Sequence, residues 1–104
     1  MSEPPKKIEK LEHFVSNSMY QEALAMCARF PKLKSRENRK KICRAHECLT
    51  GNADFHRQLG KDPLSLIVGG IEAIFDEYRP TFEKRGIEQP NSIQELVAER
   101  YSDI

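Results

Sequence analysis

Residues 63–79, PLSLIVGGIEAIFDEYR, constrain the fold more than any other stretch of the chain. Asp62-Pro63 opens them with an aspartate N-cap and a proline at N1, where a missing N–H costs no hydrogen bond. Pro80 closes them, because proline disfavours helical backbone in the residue before it. Between these limits Leu64, Ile67, Ile71, Ile74, Phe75 and Tyr78 recur at the helical period and share one stripe, which Leu66 and Val68 widen. Such an apolar helix has to be covered, so the other helices are expected to pack round it. Gly69-Gly70 lies in its middle, where each glycine costs about 1 kcal/mol relative to alanine. The pair marks either a close crossing by another helix, or a kink or groove that takes a partner. Gly69 and Gly70 are therefore candidate partner-docking residues.

The rest of the chain reads as shorter helices. Residues 1–5 form a flexible leader, and Pro4 or Pro5 opens a first helix with the stripe Ile8, Leu11, Phe14 and Val15. Ser18 and Gln21 have the spacing of a capping box, so a second helix should follow at once, carrying Tyr20, Ala23, Leu24, Cys27 and Phe30 and ending at Pro31. Residues 6–30 thus make a helical hairpin. Ser35 is the N-cap of a helix over 36–50, with Ile42, Ala45 and Leu49 on one side and Arg36, Lys40 and Arg44 on the other. Glu37 precedes Lys41 by four residues, the favourable order for a helical ion pair. Gly51-Asn52 stops this helix, and Phe55 and Leu59 form an i, i+4 apolar pair on a short helix that Gly60 terminates. Residues 80–91 are polar and read as a loop with at most one helical turn. Ser92 and Glu95 form a second capping box, opening a helix over 92–101 whose apolar side is Ile93, Leu96, Val97 and Tyr101. That helix docks on the core or onto a neighbouring molecule, which makes these four residues candidates for partner docking. No segment alternates as a strand does. The expected fold is all-α: one domain over residues 1–104, a compact bundle of four to five short helices beginning with the hairpin.

Length and composition set the outer limits. With 104 residues, 38% apolar and 32% charged, the chain suits one modest hydrophobic core and not a disordered polymer. No apolar run approaches the 18 residues of a membrane span, and the polar N-terminus lacks the apolar stretch of a signal peptide. Three cysteines, an odd number, read as free thiols in a reducing compartment. The expected location is the cytoplasm. The net charge of +1 conceals an asymmetry. Residues 1–46 carry 11 Lys/Arg against 5 Asp/Glu, a net of +6, whereas residues 47–104 carry 6 against 11, a net of −5. Such a dipole suits steering toward a polyanion, head-to-tail self-association, or simply a solvated face.

Two resemblances bear on function. FVSNSMYQEALAMCARF is similar to a single tetratricopeptide-type unit in its packing of small residues, although no 34-residue repeat follows it. The wording ARFPKL, RAHE and DFHRQLGKDPLSLI resembles small helical proteins of phages and prophage-bearing bacteria, over roughly residues 8–75. That resemblance implies a phage context and carries no activity with it.

No catalytic or cofactor motif stands out. Cys43, His46 and Cys48, with Cys27 upstream, suggest zinc by composition, but Cys48 lies about 160° round the helix from His46, so the side chains do not converge. Asp76-Glu77 near Arg79 reads as solvation of a helix end. His56-Arg57 reads as a surface pair. An enzyme is not expected, and no metal or cofactor. The strongest cluster is basic: Lys32, Lys34, Arg36, Arg39, Lys40, Lys41 and Arg44 fall within 13 positions, the footprint of a surface for phosphates or an acidic partner. The leading reading is a non-enzymatic protein–protein interaction module, an inhibitor or adaptor acting on a bacterial cytoplasmic target. The second is a small nucleic-acid-binding regulator that uses the helix over 36–50.

Overall fold

The computed structural model describes residues 7–30, 33 and 35–102. Seven α-helices account for most of them: α1 (Lys7–Ser16), α2 (Tyr20–Ala28), α3 (Arg36–Glu47), α4 (Ala53–Gln58), α5 (Pro63–Glu77), α6 (Arg79–Lys84) and α7 (Ile93–Tyr101). No strand is present among the described residues, and none of their helices is long and apolar enough to cross a membrane. The helix count exceeds the expected four to five. Part of the excess is α6, where a loop over 80–91 was expected. Pro80 falls in the first turn of α6, where it breaks no helical hydrogen bond. Phe82, only 1% exposed, anchors that helix in the core. The Ile87 N–H then donates to the Phe82 carbonyl (2.9 Å) and the Gly86 N–H to the Glu83 carbonyl (3.2 Å), a Schellman ending.

Helix α5 lies at the centre, with α3 and α7 packed along it and α2 across α3. Its stripe is buried as expected at Ile67, Ile71, Ile74 and Phe75, and Val68 and Ala73 join it. Asp62 caps it, accepting from the Leu64 N–H (3.3 Å) and the Ser65 hydroxyl (2.9 Å). Gly70 is the reason that α3 can come so close. A Cβ at this position would collide with Ala45 Cβ and lie 3.0 Å from Leu24 Cδ2 and 3.1 Å from the Lys41 carbonyl oxygen. The space beside Gly70 is thus filled from within the chain, which fits the close-crossing alternative for the glycine pair. At Gly69 a Cβ would meet nothing within 4 Å.

The hairpin forms, but not through the expected cap. Ser18 has φ 57°, the one non-glycine residue in the left-handed region among those described, so its hydroxyl cannot cap α2; Met19 occupies that position. The ending of α1 decides the geometry. The Met19 N–H donates to the Phe14 carbonyl (2.7 Å) and the Ser18 N–H to the Val15 carbonyl (3.1 Å). This Schellman motif requires a left-handed residue where Ser18 stands. Leu11, Val15, Tyr20, Ala23, Leu24 and Cys27 then face the core, as their spacing indicates. Burial pushes the Cys27 thiol up to about 12, with the Glu77 carboxylate adding to the effect, which disfavours the thiolate. The leader, Pro31, Lys32 and Lys34 lie outside the described residues.

Asp76-Glu77 does not merely solvate a helix end. Glu77 is buried, and its Oε1 accepts from the Asn38 side-chain amide (3.2 Å) and the Ser35 backbone N–H (3.3 Å). The same Asn38 amide donates to Asp76 Oδ2 (3.0 Å). A buried carboxylate so held ties the C-terminal end of α5 to the N-terminal end of α3, whose dipole favours negative charge.

The two glycines should therefore respond oppositely to one added methyl group. Gly69→Ala is expected to stabilise the fold by up to about 1 kcal/mol through helix propensity. Gly70→Ala should destabilise it by roughly 1–3 kcal/mol or more through overpacking against Ala45. Urea unfolding of the two variants measures both signs; equal effects would mean that α3 and α5 do not cross at Gly70.

Candidate functional site

The surface most unlike the rest of the molecule is at α4, beside the N-terminal end of α5. Helix α3 ends in a kink, Cys48–Asn52, where Gly51 takes φ 99°, a conformation that side chains disfavour. The Thr50 hydroxyl donates to the carbonyls of His46 (3.0 Å) and Glu47 (3.2 Å), satisfying groups at the broken end. This kink sets the rotation of α4. Only Ala53 and His56 of α4 are buried. Phe55 and Leu59, one turn apart on the opposite side, are 56% and 57% exposed, the exposed large hydrophobic residues among those described. The apolar pair read from the sequence is therefore outside, and His56, expected at the surface, is inside at 4% exposure.

His56 is poorly provided for. Neither ring nitrogen has a hydrogen-bond partner among the described residues, and Glu47 Oε2 stands 3.9 Å from Nε2, beyond hydrogen-bond range. The Phe55 ring meets it edge-on, with centroids 5.5 Å apart. Flanking the apolar pair on the surface, Asp54 Oδ1 accepts from the Arg57 guanidinium at 2.6 Å. The site thus presents two apolar side chains bordered by one anion and one cation.

A second surface feature lies on the hairpin. A groove of about 480 Å³ runs between α1 and α2, with Phe14, Ala25, Met26 and Phe30 as its apolar lining and Lys10, Arg29 and Glu22 as its charges. Phe30 also packs edge-on against Tyr78, at the C-terminal end of α5.

The basic cluster is divided. Arg36, Lys40 and Lys41 are exposed on α3 and form no ion pair with a described residue; the expected Glu37–Lys41 pair is absent. Arg44 is half-buried rather than solvent-facing. Arg39 turns inward and donates to the Phe30 carbonyl (2.7 Å), linking α3 to the end of the hairpin. Lys32 and Lys34 are not among the described residues. The C-terminal candidates also turn inward: Ile93 and Val97 are buried and Leu96 and Tyr101 half-buried, packed against the core. Helix α7 is thus docked on its own chain. Cys43 is half-buried and Cys48 buried, and no group of three His, Cys, Asp or Glu among the described residues could hold a metal ion.

No family model, curated protein or solved structure matches the chain.

Sequence reasoning found the Phe55–Leu59 pair but not its orientation. The available signal was the brevity of α4, too short to bury two faces beside a glycine kink. If the His56 ring is unpartnered, His56→Leu should raise stability by about 1 kcal/mol, since two desolvated polar atoms are removed without loss of volume. A fall in the urea midpoint would instead show that the ring is hydrogen-bonded in solution.

Proposed function

We propose that the chain is a non-enzymatic protein-interaction module that engages its partner through the outer face of α4, as an adaptor or inhibitor in a bacterial or phage-infected cytoplasm. One observation carries this reading: a short helix beside a glycine kink that leaves a phenylalanine and a leucine more than half exposed. A partner that covers Phe55 and Leu59 removes their apolar surface from water, the main source of energy in protein contacts. The bacterial and phage setting is supported by the resemblance of residues 8–75.

Benzoylphenylalanine placed at position 55 in bacterial cells should, on irradiation, give a discrete protein adduct that the same probe at exposed position 88 does not. Phe55→Ser with Leu59→Ser should weaken the captured interaction at least tenfold, roughly 1.4 kcal/mol. Indistinguishable adduct patterns at positions 55 and 88 would overturn the reading.

A second reading, a nucleic-acid-binding regulator, is favoured by the exposure of Arg36, Lys40 and Lys41 on α3, which form no ion pair with a described residue. If phosphates meet this face, replacing Arg36 and Lys40 with Ala should lower the slope of log K against log salt by about 1.8 on duplex DNA, roughly 0.9 for each phosphate no longer neutralised. A mobility-shift titration at low salt checks it. No shift of DNA or RNA at micromolar protein would leave the α3 face a solvated surface.

A further inference from the structure

The α4 knob and the hairpin groove are two separate surface features with complementary character. The knob offers Phe55 and Leu59, with Asp54 and Arg57 beside them. The groove offers an apolar lining of Phe14, Ala25, Met26 and Phe30, with Lys10, Arg29 and Glu22 as its charges. An anion and a cation thus face two cations and an anion. At about 480 Å³ the groove is within the range of sites that enclose small ligands, roughly 300–1,000 Å³.

A single molecule cannot make this contact. The groove residue Phe30 lies against Tyr78 at the C-terminal end of α5, and Glu12 of α1 pairs with Arg85 just beyond α6 at 3.3 Å. Helix α4 precedes the opposite end of α5, which is 15 residues and so roughly 22 Å long. The charges lining the groove, Lys10, Arg29 and Glu22, sum to +1 and those beside the knob, Asp54 and Arg57, to zero, so each sign on one surface has an opposite on the other.

We infer that the partner of the α4 face is a second copy of this chain: Phe55 and Leu59 of one molecule seat in the α1–α2 groove of the next. The interface joins two different surfaces, so it is heterologous and propagates head to tail instead of closing as a symmetric dimer. A contact built on two knob side chains is small, and the association is accordingly weak and reversible. This inference rests on the reading of α4 as a contact face.

Sedimentation velocity on the full chain, from 10 µM to 1 mM, tests it with two variants altered only at exposed positions. The knob variant carries Phe55→Asp and Leu59→Asp; the groove variant carries Lys10→Glu and Arg29→Glu. Circular dichroism verifies that both are folded. The wild type should sediment faster as concentration rises, and each variant alone should weaken association at least tenfold. An equimolar mixture of the two should then form heterodimers and nothing larger, because the knob variant keeps its groove and the groove variant keeps its knob. Wild type that is monomeric at 1 mM overturns the inference, as does association that survives the knob substitutions, or a mixture that fails to pair. A monomeric chain that still gives a position-55 adduct with another protein in cells would refute self-association and leave the contact reading standing. Absence of both refutes the two together.

Discussion

The close crossing of α3 over α5 governs the rest of this structure. With no side chain at Gly70, Ala45 and the Lys41 carbonyl come up against the backbone of α5, and Leu24 of α2 fills the remaining corner. Three helices are fixed by one absent methyl group. The helix loses propensity at glycine, but neighbouring side chains pack more closely than a wider separation would allow. The crossing also fixes the rotation of α3. Ile42 and Ala45 must point inward, so Arg36, Lys40 and Lys41 point outward, and Asn38 is brought under Glu77. The basic face and the buried hydrogen bonds are both consequences of where α3 touches α5.

The features legible in the sequence are those that depend on near neighbours. The stripes of α2 and α5 were readable, as were the caps at Ser35, Asp62 and Ser92, whose hydroxyl accepts from the Glu95 N–H at 3.2 Å. Each follows from helical spacing or from one side chain reaching a few residues along. Ser18 shows where local reading fails even at short range. Two capping arrangements compete for Ser18 and Met19, and the ending of α1 prevails over the opening of α2. Phe82 was obscured for a different reason: it is a lone aromatic among polar neighbours, and only tertiary burial makes six residues helical. The roles of Glu77 and His56 lie further from view. Each is a polar residue whose environment is built by segments distant in the chain, so no periodicity encodes it. The candidate site was legible as a pair of residues and not as a surface, since its orientation comes from the Gly51 kink.

Glu77 and His56 show two outcomes of burying a polar side chain. Glu77 is surrounded by donors and joins two helix ends. His56 is also buried but, among the described residues, has only the Glu47 carboxylate near it, 3.9 Å from Nε2. Local order should follow this difference. The Glu77 junction belongs to the most cohesive part of the molecule, along the long seam of α3 and α5. Helix α4 has six residues, two of them buried, and no side-chain cap. Segments with so little buried surface occupy the low-stability end of a fold, where surfaces that bind other molecules are commonly found.

The tie between Arg100 and the hairpin affects the order in which the molecule is made. The Arg100 guanidinium donates to the Ser18 carbonyl across 82 residues and also stands 5.9 Å from the centre of the Tyr20 ring. The left-handed turn of the hairpin is thus clasped by the last helix. During synthesis α1 and α2 leave the ribosome early, and their turn must wait for α7 before this carbonyl receives its donor. Closing so long a loop is entropically costly and belongs late on the folding route. Helices α3 and α5 cover the inner side of the hairpin first, with Phe75 against Tyr20, and α7 adds only the outer fastening at the turn.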